Sequence, residues 1–109
     1  MRKFLYSALI LAGLSTNAQA AADWVFTITN KSGTTIDRFR TQEDGAWSAS
    51  WLKDHIEPGD TFNMHFGHAD GDCSVRTQIG FEDNTFFDVD VDYCQVEHMD
   101  IYEKRITWK

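Results

Sequence analysis

The chain has 109 residues with 17 Asp plus Glu against 10 Lys plus Arg, and a formal net charge of −7 at pH 7. That balance opposes nucleic-acid binding, which needs a basic footprint to neutralise phosphates, and opposes adsorption to anionic membrane surfaces. The length holds one small domain with room for a single modest core.

Residues 1–20 read as a secretory signal peptide. Arg2 and Lys3 form the positive start, Phe4 to Leu14 the apolar stretch, and Ala18-Gln19-Ala20 the small-x-small cleavage site. The apolar stretch is shorter than the roughly 20 residues a membrane-spanning helix needs, so a periplasmic or secreted protein is expected, with no membrane span in the mature chain. Residues 21–109 then form one domain of 89 residues, whose net charge falls to −9 once Arg2 and Lys3 are lost.

Trp24 to Thr29 alternates large apolar residues with smaller ones, which predicts a strand with Trp24, Phe26 and Ile28 facing the core. Asn30-Lys31-Ser32-Gly33 is a turn, and Thr34 to Thr41 reads as a returning strand. Ile36 and Phe39 are three apart and share a face only across a bulge or at an edge. After the polar turn Gln42 to Gly45, Trp47, Trp51 and His55 follow helical spacing, which predicts a short helical turn or an irregular loop. The two tryptophans are read chiefly as a lid on the open end of the core, with ligand stacking as the alternative. Pro58-Gly59 punctuates the chain, and Thr61 to Phe66 alternates again into a third strand.

From Cys73, residues Val75, Thr77, Ile79 and Phe81 fall on one face, and Phe87, Val89, Val91 and Tyr93 form the apolar face of a return strand. A two-residue Asp83-Asn84 turn sets Ile79 against Asp88. A three-residue loop with Asn84 or Thr85 in left-handed geometry instead aligns Ile79 with Val89, Phe81 with Phe87 and Arg76 with Asp92, and is preferred. Cys94 is then one position out of step, which predicts a bulge or strand end near Tyr93 and Cys94 that turns its sulfur inward toward Cys73. In an oxidising compartment Cys73 and Cys94 are expected to form a structural disulfide contributing about 3 kcal/mol. A last strand is expected over Val96 to Tyr102, with Met99 and Ile101 inward, before a charged tail containing Ile106 and Trp108. Six short strands with frequent turns predict an all-β fold, a small antiparallel sandwich or barrel.

The order Ile28-Thr29-Asn30, Gly33, Ile36, Trp47, Leu52, Pro58-Gly59, Phe66, Cys73, Phe81-Glu82-Asp83 and Val91-Asp92-Tyr93-Cys94 resembles a group of small exported proteobacterial β-domain proteins over nearly the whole mature chain. Their pattern has an Asn-turn-Ile start, a central Trp and Pro-Gly, and two cysteines flanking an Asp-Gly hairpin, with Asn84 here in place of the glycine. The resemblance implies a fold without assigned catalytic residues. Some similar chains carry the name argininosuccinate lyase, a large helical chemistry that an 89-residue single-core domain does not house.

Asp88, Asp90 and Asp92 line one strand face, and Asp70 and Asp72 precede the strand expected beside them, a set of oxygen ligands suited to calcium. Neighbours on one strand face stand about 7 Å apart, too far to chelate without a loop, and the Asp-x-Asp-x-Asp-Gly calcium loop is absent from the sequence. His65 and His68, with Asp70 and Asp72, form a weaker zinc or copper set. His55 and His98 are isolated. There is no Gly-x-Ser-x-Gly elbow, His-Glu-x-x-His motif or Gly-rich phosphate loop, so no enzyme is expected. The leading expectation is a noncatalytic exported domain, without a cofactor, that binds a protein or envelope component. Its charge suits a cationic partner such as a lysozyme-like or toxin enzyme. The alternative is a calcium- or transition-metal-binding periplasmic domain.

Overall fold

The computed structural model describes residues 24–67 and 71–109; the expected signal peptide, His68 and Asp70 lie outside these. The described residues form eight strands and no helix: β1 (Val25–Asn30), β2 (Ile36–Glu43), β3 (Ala46–Trp47), β4 (Thr61–His65), β5 (Ser74–Phe81), β6 (Phe86–Asp92), β7 (His98–Ile101) and β8 (Ile106–Trp108). They build two four-stranded sheets, ordered β4-β1-β7-β8 and β3-β2-β5-β6. The all-β sandwich expected from the alternating pattern is therefore the fold of the described residues. No helix among them is long and apolar enough to cross a membrane.

The sheets face each other because each strand places its apolar set on one side. Phe26 and Ile28 of β1, Met64 of β4, and Met99 and Ile101 of β7 are buried from one sheet, against Ile36, Phe39, Ile79, Phe81 and Val91 from the other. A register shift between Ile36 and Arg38 is the predicted bulge, and it lets Ile36 and Phe39 share the core face. Ile36 also exchanges two 2.9 Å backbone bonds with Ile56, which draws the Pro58-Gly59 segment over the core. Gly59, at φ 89°, makes the turn that returns the chain to β4.

The sandwich is not wholly antiparallel. β1 pairs antiparallel with β4 but parallel with β7, Ile28 opposite Met99. A parallel pair needs a long crossover, and the whole of the second sheet is inserted between β1 and β7 to supply it. β3 and β8 add two strands to the six expected. Trp47 pairs with Gln42 instead of entering a helical turn, and the segment expected as a charged tail folds back on β7, Met99 opposite Trp108. That last turn is held by the Tyr102 N–H on the Arg105 carbonyl at 2.9 Å, with the Arg105 guanidinium 4.1 Å from the Tyr102 ring.

The β5–β6 register differs from expectation by two residues. Ile79 lies opposite Phe87, Thr77 opposite Val89 and Arg76 opposite Asp90. The loop is three residues with Asn84 left-handed at φ 70°, as expected, but it comprises Glu82 to Asn84 and closes one residue earlier. Asp83 is the reason. Its carboxylate accepts from the Thr85 N–H at 3.0 Å and the Thr85 hydroxyl at 2.5 Å, which holds the carboxyl below its usual range and Thr85 in the strand-closing position. A shift of two preserves side-chain parity, so the apolar face is the one predicted.

Cys73 and Cys94 are bonded, with Cα atoms 5.2 Å apart, just beyond the start of β5 and the end of β6. The strand end is where the sequence places it, but both cysteines are exposed, not turned inward. Tyr93 takes the inward space: it is 3 % exposed and stacks on Trp24 at 5.9 Å.

Candidate functional site

Two features stand out on the surface, one on the outer edge of β6 and one at the end of the sandwich beside the disulfide. β6 is an edge strand. The bonds that bracket its ladder, Tyr93 N–H to the Cys73 carbonyl and Phe81 N–H to the Thr85 carbonyl, fall on odd-numbered residues. By alternation the backbone groups of Phe86, Asp88 and Asp90 point to the open edge. Their side chains share the outer face with Asp92, and Phe86 is 56 % exposed.

Asp88 is tied to Arg76 by two parallel bonds of 2.9 and 2.7 Å, the bidentate geometry that suits a guanidinium and a carboxylate. That bond holds the Asp88 carboxyl below its usual range and raises Arg76. Both groups are exposed, so the pair contributes little to stability. Asp92 accepts from the Cys94 N–H, while the Asp90 carboxylate has no bond or ion pair among the described residues. The expected Arg76–Asp92 pairing is thus replaced by Arg76–Asp88: the shifted register sets Arg76 opposite Asp90, and its guanidinium bonds the diagonal neighbour Asp88.

The second feature lies where the start of β1, the end of β2 and the start of β5 meet. A cleft of about 440 Å³ has Trp24 and Val75 as its apolar floor and Glu43, Asp44, Asp72 and Arg76 among its walls. It adjoins a slot of about 20 Å³ walled by Trp24, Trp51, Phe66 and Tyr93, with Thr41 and Glu43 as its polar members. The rings are in mutual contact, Trp51 to Phe66 at 4.7 Å and Phe66 to Tyr93 at 5.0 Å. The Trp51 indole N–H donates to the Thr41 hydroxyl at 3.0 Å.

The two tryptophans therefore part company. Trp51 is at the core end, as the lid reading expects. Trp47 is on the outer face of the second sheet, with the Arg40 guanidinium 5.8 Å and that of Arg76 5.3 Å from its ring. Strand pairing of Ala46–Trp47, not helical spacing, decides which way Trp47 points. Glu43, Asp44 and Trp24 were not singled out by sequence reasoning as site residues. The only signal for them was the charged turn following a strand whose end, by topology, meets the start of β1.

The metal candidates divide between the two sheets. His65 is exposed on β4, in the sheet opposite the one that carries Asp88, Asp90 and Asp92, and Asp72 lines the cleft. His68 and Asp70 lie outside the described residues. Among the described residues, the one set of three ligand-type groups within 4.8 Å is Cys73, Asp92 and Cys94, and its two sulfurs are joined to each other.

His98 is not isolated. Its Nδ1 is 2.5 Å from the Thr27 hydroxyl and its Nε2 2.7 Å from Asp100, on the outer face of the first sheet. The order is that of a nucleophile, a base and an acid. The local N–H groups are spent on the ladder, however: Thr27 N–H on the Glu97 carbonyl and His98 N–H on the Lys109 carbonyl, leaving neither to stabilise an oxyanion. No family model, curated protein or solved structure matches the chain.

Proposed function

We propose that this chain is an exported, noncatalytic binding domain whose ligand is a cationic envelope protein, docked as an extended basic segment along β6. The observation that supports the reading is the open backbone edge of Phe86, Asp88 and Asp90 with a carboxylate at every second residue from Asp88 to Asp92. Strand addition supplies affinity through main-chain bonds, and alternate side chains supply specificity. A second copy of β6 is a poor occupant. Antiparallel pairing centred on Val89 sets Asp88 against Asp90 twice, and like charges directly opposite destabilise. A segment with Lys or Arg at alternate positions turns the same contacts into attraction and speeds encounter.

The experiment is capture from envelope extract on the immobilised oxidised protein, beside a variant carrying Asp88→Asn, Asp90→Asn and Asp92→Asn. A basic protein retained by the parent at low salt, released at high salt and not retained by the variant is the expected result. Retention that neither treatment changes contradicts the reading.

A further inference from the structure

The geometry points to the slot between Trp24, Trp51, Phe66 and Tyr93 as a binding site for a primary ammonium group on a flexible alkyl chain. It uses different residues from the β6 edge and stands independently of that reading. The walls are aromatic, and ring faces attract a cation within about 6 Å of their centroids. The one charged group shared by slot and cleft is the Glu43 carboxylate, which has no bond or ion pair among the described residues, and the Thr41 hydroxyl supplies a second acceptor beside it. An ammonium has three donors and needs acceptors of this kind at its rim.

Charge and size select the ligand. Asp44 and Asp72 line the adjoining cleft, equally without ion pairs among the described residues, whereas the charge of its cation Arg76 is already met by Asp88. The cleft field is therefore net negative. At about 20 Å³ the slot has room for a small head group, which suits a primary ammonium better than a trimethylammonium head or a flat guanidinium. The larger cleft accommodates the alkyl chain against Trp24 and Val75.

The test follows the Trp51 indole N–H resonance of the oxidised protein during titration with n-butylammonium. A saturable shift is expected, weakened about tenfold by Glu43→Gln, which removes one charge-assisted bond. Glu57→Gln, exposed at the opposite end of the sandwich beside Ile56, leaves the affinity unchanged. Nα-acetyl-lysine methylamide and putrescine distinguish the two sources of this chemistry: comparable binding of the lysine derivative assigns a protein side chain, and markedly tighter putrescine binding assigns a free diamine. Equal shifts with 1-butanol or tetramethylammonium, no saturation, or equal weakening by Glu43→Gln and Glu57→Gln would overturn the assignment.

Discussion

The Asn30 carboxamide is fully buried, and all four of its hydrogen-bonding positions are used. Its amide donates to the Thr34 carbonyl at 2.9 Å and the Ile56 carbonyl at 2.8 Å, and its oxygen accepts from the Ser32 N–H at 2.9 Å and hydroxyl at 2.6 Å. It thereby joins the end of β1, the turn and the Ile56 segment. Sequence reasoning sees only a turn former there, because a short polar residue before Lys31-Ser32-Gly33 has no feature that announces burial. Asn30→Ala leaves the buried Ser32 N–H without its acceptor and takes one of two donors from each of the Thr34 and Ile56 carbonyls, which keep Ser32 and Ile36, and should cost about 2 kcal/mol in denaturant unfolding. Tyr93 is the second such residue, its hydroxyl 2.7 Å from the Thr77 hydroxyl. Burial pushes its phenol well above the ordinary range. A raised folded-state value means that the neutral phenol's contribution is fully present below the unfolded value of about 10 and is lost as pH climbs above it. Thermal melts should fall in Tm above that pH, and Tyr93→Phe should flatten the decline.

At the scale of strands, what the sequence carried best was alternation. The two faces of β5 and β6 follow directly from every-other-residue spacing, because side-chain parity is fixed once a strand is extended. The pairing offset between them depends on where the loop closes, and that was decided by the Asp83 side chain capturing Thr85, a local bond invisible to periodicity. Asn84 supplies the left-handed residue the loop requires. Asn84→Gly should leave stability nearly unchanged, while Asn84→Ala should cost about 1 kcal/mol by thermal unfolding. β8 was hidden for a different reason. Three charged residues, Glu103 to Arg105, look like solvated tail until the chain is seen to turn on them. β3 is two residues long and defined by pairing alone. The candidate sites divide in the same way: the aspartates of β6 were legible as a one-faced acidic strand, whereas the slot assembles four rings from distant segments, which no local pattern contains.

For the whole molecule, two sheets close one small core, and the Cys73–Cys94 bond clips the end that carries both the cleft and the termination of β6. Replacing both cysteines by Ser should lower unfolding free energy by about 3 kcal/mol on the chain-entropy view. Because the one close set of three ligand-type groups among the described residues has both its sulfurs locked in the disulfide, calcium and zinc should leave the Tm of the oxidised protein unchanged relative to a chelator control. The central claim is that the acidic edge of β6 accepts a basic strand. Amide hydrogen exchange of Phe86, Asp88 and Asp90, with and without a short peptide bearing Lys at alternate positions, tests it most directly. Protection of these three amides that fades with added salt is predicted; amides that exchange equally fast with saturating peptide would contradict it.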